Sequence, residues 1–219
     1  GAIQDRAIYQ RNFDGSPVRL PLEVSNPTAL TLQYQVTNRK TGVAGTWTAF
    51  ASNAAPVSRA TVSLAAGWYD IRVRNAATNA LVKLFERIGV GEVFIVAGQS
   101  NSHNYGARNT SQVVDDRVSS YNLATGTWVH GRDPQINLDR PEWGGPTGYP
   151  EGVRGLKDAS PWGYFGNLFT ACTDMPVHIL SVGWGGTSIA EWQPNANPIS
   201  NTTSLPGGIV LYNQRLRPA

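Results

Sequence analysis

The chain has 219 residues, 41% of them hydrophobic, which suffices to bury a core in one large domain or two small ones. Its 18 basic and 15 acidic side chains leave a net charge of +3 without runs of either sign, so the clustered Lys/Arg footprint of a nucleic-acid or membrane binder is missing. A neutral partner is expected.

From about residue 16 to 90 the sequence is a series of short alternating runs, among them Leu30 to Val36, Ala60 to Leu64 and Trp68 to Arg74. Turn residues such as Gly42, Asn53 and Gly67 bound them, a pattern that predicts antiparallel strands with one solvated face. Residues 1–90 are therefore expected to form an all-β sandwich module of jelly-roll or Ig-like type. At Glu92 the style changes. Val93 to Ala97 is continuously apolar, as in a strand buried on both faces of a parallel sheet. A further strand is suggested near Arg117 to Tyr121, followed by a stretch from 124 to 160 with no clean period. Trp128, Trp143 and Tyr149 in that stretch are candidate sugar-stacking platforms or simple anchors of the loop.

Ser160 and Pro161 then read as a helix start, with Trp162, Phe165, Leu168, Phe169 and Cys172 at helical spacing. That pattern makes Cys172, the one cysteine of the chain, a core thiol. Val177 to Val182 predicts a second parallel strand, with His178 inside it as a core residue. Strand, helix, strand is a βαβ unit, so residues 91–219 are expected to be α/β, a three-layer domain on a parallel sheet.

Two turns carry candidate chemistry. Ser100 follows Gly98 at the carboxyl end of the first apolar strand, where α/β sheets place ligands. It is either a nucleophile or a helix N-cap. The second turn, Gly183 to Thr187, contains Gly185 and Gly186, and Ser188 to Glu191 has capping-box spacing. Glycines there either let backbone N–H groups approach a substrate oxygen, as in an oxyanion hole, or merely make a tight turn under Trp184. Gly89 and Gly91 precede the apolar strand, which excludes a dinucleotide cradle. One cysteine and three scattered histidines offer no metal cluster, and no cofactor is expected.

Gly91-Glu92-Val93-Phe94, Gly98-Gln99-Ser100-Asn101 and Gly185-Gly186-Thr187 through Trp192 together resemble the sialate O-acetylesterase-like group of the SGNH (GDSL-type) hydrolase superfamily, enzymes that remove acetyl groups from carbohydrates. The resemblance covers about residues 88 to 217, and several members also carry a β-sandwich module before Gly-Glu-Val-Phe. It implies an SGNH-type sheet, incomplete in this chain, and a serine esterase acting through an acyl-enzyme. Ser100 would be the nucleophile, its own N–H and that of Gly186 or Gly185 the oxyanion donors. Gln99, Asn101 and Trp184 flank these groups as candidate substrate contacts. The alternatives are a carbohydrate-binding protein that has lost catalysis, or a lipase or thioesterase of the same superfamily. A secreted or periplasmic location goes with the acetylesterase reading.

The family pattern continues into a Gln-Gly-Glu-Ser block and an Asp-x-x-His block that holds the base. Neither occurs in these 219 residues. His103 is not expected to replace it, because a residue three positions along a helix from Ser100 points along the surface. Nothing in the sequence orients His130. The second apolar strand is expected to be an exposed sheet edge, and residues 209–217 to be a crossover helix. The remaining strands and the Asp and His are accordingly expected on a companion polypeptide, most simply the C-terminal half of the same precursor.

Overall fold

The computed structural model describes residues 3–98, 102, 114–122, 126–132, 160–181 and 188–194. The chain divides into two units, Gly1–Glu92 with Thr173–Val177, and Val93–Cys172 with His178–Ala219.

In the first unit, β2 (Val18–Ser25) and β5 (Val57–Leu64) form an antiparallel pair. Strict alternation puts Leu20, Leu22, Val24, Val62 and Leu64 inside, while Arg19, Pro21, Arg59 and Thr61 face out. A second sheet runs β4 (Thr48–Ala49), β3 (Leu32–Asn38), β6 (Gly67–Asn75), β7 (Leu81–Val96), with β1 (Ile8–Gln10) parallel to β7. Its inward side chains Leu32, Ile71, Val73, Phe85, Ile88 and Val90 join those of β2 and β5 in one core. Each such side chain contributes about 1.5–3 kcal/mol by leaving water.

β7 is one strand of 16 residues. It carries a bulge: Tyr69 pairs with Ile88 but Ile71 with Phe85, so Glu86 and Arg87 together oppose Asp70. Arg87 takes φ +60°, and its N–H donates to Asp70 Oδ1 at 2.9 Å, while the Glu86 N–H donates to Asp5 Oδ1 at 2.9 Å. Gly89 and Gly91 lie inside this strand and do not precede it. A Cβ on Gly91 would stand 1.9 Å from the Pro176 carbonyl oxygen, which also accepts the Glu92 N–H at 3.1 Å. The Glu92 carboxylate accepts from Arg11 Nε at 2.6 Å and Gln10 Nε2 at 2.7 Å, tying down the chain at the end of β1. The opening of the Gly-Glu-Val-Phe motif is thus structural.

The second unit holds the end of β7, β8 (Val118–Asn122), β9 (Thr127–His130), helix α1 (Pro161–Thr173) and β10 (Val177–Ser181), which itself begins in the first unit. β8 and β9 are an antiparallel hairpin turning through Gly126 at φ +67°. The sequence hid β9 in a stretch without period. α1 starts at Pro161 as expected, but the face it buries is Gly163, Gly166 and Thr170. Cβ-free Gly166 sits against Val118 and Ile179, and Phe165 and Phe169 meet Phe94 edge-on. Leu168 is exposed and so is Cys172, which is not the core thiol its spacing suggested.

The three-layer SGNH-type parallel sheet is not what the described residues form. Strand accounts for 49% of them and helix for 13%, and the larger sheet is mixed, in the order β4-β3-β6-β7-β10-β8-β9 with β1 beside β7. The reason is that β7 does not break at Gly91, so the strand that ends the N-terminal module and the apolar run 93–96 are one element. Nor is β10 an exposed edge. It lies between β7 and β8 and all five of its residues are buried.

Candidate active site

The second unit brings the chain just beyond β7 to the carboxyl end of β10. Gly98, two residues past the strand, takes φ +148°, a conformation that a side chain makes costly. Ser102 follows, buried, with its carbonyl oxygen accepting from Ser181 Oγ at 2.5 Å and from Trp162 Nε1 at 3.4 Å. Ser181 is the last residue of β10 and Trp162 the second of α1. A strand end and a helix start therefore clamp the residue two positions beyond Ser100. The sequence reading missed both partners. The only signal was a hydroxyl at the end of an otherwise apolar strand.

Past the glycine turn, the Glu191 carboxylate accepts from the Ser188 N–H at 2.6 Å and from Ser188 Oγ at 3.0 Å. The capping-box spacing thus has its reciprocal contact, though it heads a four-residue 3₁₀ turn, Ile189–Trp192, instead of an α-helix. Trp192, the last residue of that turn, is buried. The candidate groups themselves, Gln99, Ser100, Asn101, Trp184, Gly185 and Gly186, lie outside the described residues, as do His103, Trp143, Tyr149 and residues 209–217.

Of the three histidines, two are described. His130 ends β9, with Nε2 3.0 Å from the Asp115 carbonyl oxygen. His178 is buried as expected, its Nδ1–H donating to the Ser119 carbonyl at 3.1 Å and its ring 4.5 Å from that of Trp128. Trp128 also packs on Tyr121 at 5.3 Å, so it anchors the hairpin. Burial pushes the His178 pKa down to about 4, opposed in part by the Ser119 carbonyl, and holds the ring neutral. The unfolded chain, with an ordinary pKa near 6.5, binds the proton first. The stabilisation is therefore complete above about pH 6.5 and is lost as pH falls toward 4, by on the order of 3 kcal/mol. Asp115, held below the usual carboxylate range mainly by its hydrogen bond from Arg117, loses its contribution only below about pH 4. Urea midpoints between pH 7 and 4 should fall steeply for the native chain and more gently for His178→Asn; equal slopes would refute the assignment.

No protein-family model matches the chain, and no curated protein matches it. Among solved structures it is similar to a carbohydrate acetylesterase from Xanthomonas citri, with 18% sequence identity and a TM-score of 0.46 over 98% of this chain and 46% of that one. The chain spans less than half the length of that protein. At this level of superposition the likeness assigns it neither a fold nor an activity.

Proposed function

We propose that this chain belongs to a serine esterase that removes O-acetyl groups from carbohydrate. Ser100 Oγ attacks the acetyl carbonyl carbon and its proton passes to a base. The N–H groups of Ser100 and of Gly186 or Gly185 receive the oxyanion, and the sugar hydroxyl leaves with the proton. Water then attacks the acetyl-enzyme and releases acetate. Gln99, Asn101 and Trp184 hold the sugar beside the ester. The observation that supports this reading is the clamp on Ser102, because it ties the residue two positions after Ser100 to the end of β10, which in sequence stands just before Gly185 and Gly186.

The base is the histidine of an Asp-x-x-His block, a block that does not occur in these 219 residues. His178 is unsuited to the role, being neutral, buried and bonded to Ser119. For the nucleophile, a fluorophosphonate probe should label the native assembly on the peptide that contains Ser100. Absence of labelling in the full-length native protein would favour a carbohydrate binder without catalysis.

A further inference from the structure

The first unit carries a second polar surface, on the outward face of β3 and β6. Alternation along β6 turns Asp70, Arg72 and Arg74 to that face while Ile71 and Val73 go to the core. The neighbouring strand places Gln35 opposite Arg72 and Gln33 opposite Arg74. The one acid of the row is already engaged: both Asp70 oxygens accept from Arg39 Nη1, at 2.8 and 2.6 Å, and Oδ1 also takes the Arg87 N–H. Arg72 is exposed and has no acidic partner among the described residues.

Arg74 is held in place. Its Nε and Nη2 donate to Gln33 Oε1 at 3.1 and 2.9 Å, and its guanidinium stacks 3.9 Å from the ring centroid of Trp47. Neither contact neutralises it, since one partner is an amide and the other an aromatic ring. Two permanent cations, about 7 Å apart on one strand face, thus have no counter-ion among the described residues, and one of them is pre-oriented by stacking. Planar guanidinium forks of this kind match carboxylate oxygens. The aromatic ring and the two amides at the same place suit the hydroxyl and C–H surfaces of a sugar.

We infer that the Arg72–Arg74–Trp47 face binds a carboxylate-bearing saccharide, independently of the esterase turn. Its carbohydrate half rests on the function proposed above; its anionic half rests on the charges of this face alone. The overall charge pattern pointed to a neutral partner because it averages over the chain, whereas the pairing of Asp70 leaves a local excess.

Affinity electrophoresis and calorimetry with polygalacturonate, against a neutral glucan of similar length, provide the test. Native protein should bind the polyuronate and not the glucan. Arg72→Gln and Arg74→Gln should each weaken binding about tenfold, the scale of a lost charge-assisted hydrogen bond. Arg72→Gln removes no internal contact, so its melting temperature should not change. Arg19→Gln, an exposed arginine on β2, is the control for general charge and should bind as the native protein does. No binding, equal binding of the glucan, or an equal loss in Arg19→Gln overturns the inference. Fluorophosphonate labelling should be the same in all of these variants, so failure of the esterase assignment and failure of this site give different results.

Discussion

Ser100→Ala is expected to lower acetyl-ester hydrolysis by at least about 10³-fold in the full-length native protein, because in the proposed reaction the acyl-enzyme forms on the Ser100 hydroxyl. The fold should survive. The clamp next to this position runs through the carbonyl of Ser102, a backbone group that the substitution leaves in place. If the serine also caps a helix, the loss in stability is about 1–2 kcal/mol at most. Turnover of nitrophenyl acetate and thermal melting, measured on the same preparation, separate the two effects. An alanine variant that melts normally and still turns over the ester removes Ser100 from the nucleophile role.

Gly91→Ala should be among the most damaging single changes in the N-terminal unit. The added methyl would sit 1.9 Å from the Pro176 carbonyl oxygen and 2.9 Å from its carbon, and backbone cannot rotate away as a side chain can. Moving Pro176 would break its bond with the Glu92 N–H, and moving β7 would disturb the bond from the Arg11 N–H to the Gly91 carbonyl at 2.8 Å. A loss of at least about 3 kcal/mol follows, roughly a 10 °C drop in melting temperature. Gly89→Ala is a graded comparison. There the nearest atoms are side-chain carbons of Ile8, Trp68 and Pro176 at 2.8, 3.0 and 3.1 Å, so some relaxation is open to it and the loss should be smaller. Unchanged melting of Gly91→Ala would mean that Pro176 does not lie on this strand.

Alternation made the strands of the N-terminal module readable, because a half-solvated strand writes its two faces into consecutive residues. The burial of His178 was equally legible, from the apolar residues on either side of it. What escaped is set by contacts distant in sequence. Gly91 read as punctuation between two strands, but its role is to admit a carbonyl 85 positions later in the chain. The packed face of α1 was misread for a related reason. Large apolar residues marked one stripe, whereas close approach to Val118 and Ile179 selects glycine at 166, so Gly166 is buried and Leu168 is left outside. Of the site, the capping contact between Ser188 and Glu191 was visible as spacing. The clamp on Ser102 joins residues 79 positions apart and left no local pattern.

The bulge at Glu86 and Arg87 changes the phase of β7. Phe85 points into the core, and so do Ile88 and Val90, three and five positions later, which an uninterrupted pleat cannot achieve. The extra residue is therefore a parity switch: odd-numbered Phe85 faces inward before it, and even-numbered Ile88 and Val90 face inward after it. A one-residue deletion there would exchange the two faces of everything downstream on the strand, whereas most substitutions at the same place would leave the parity untouched. Alignments and chimeras that cross this segment must keep its length before they keep its residues.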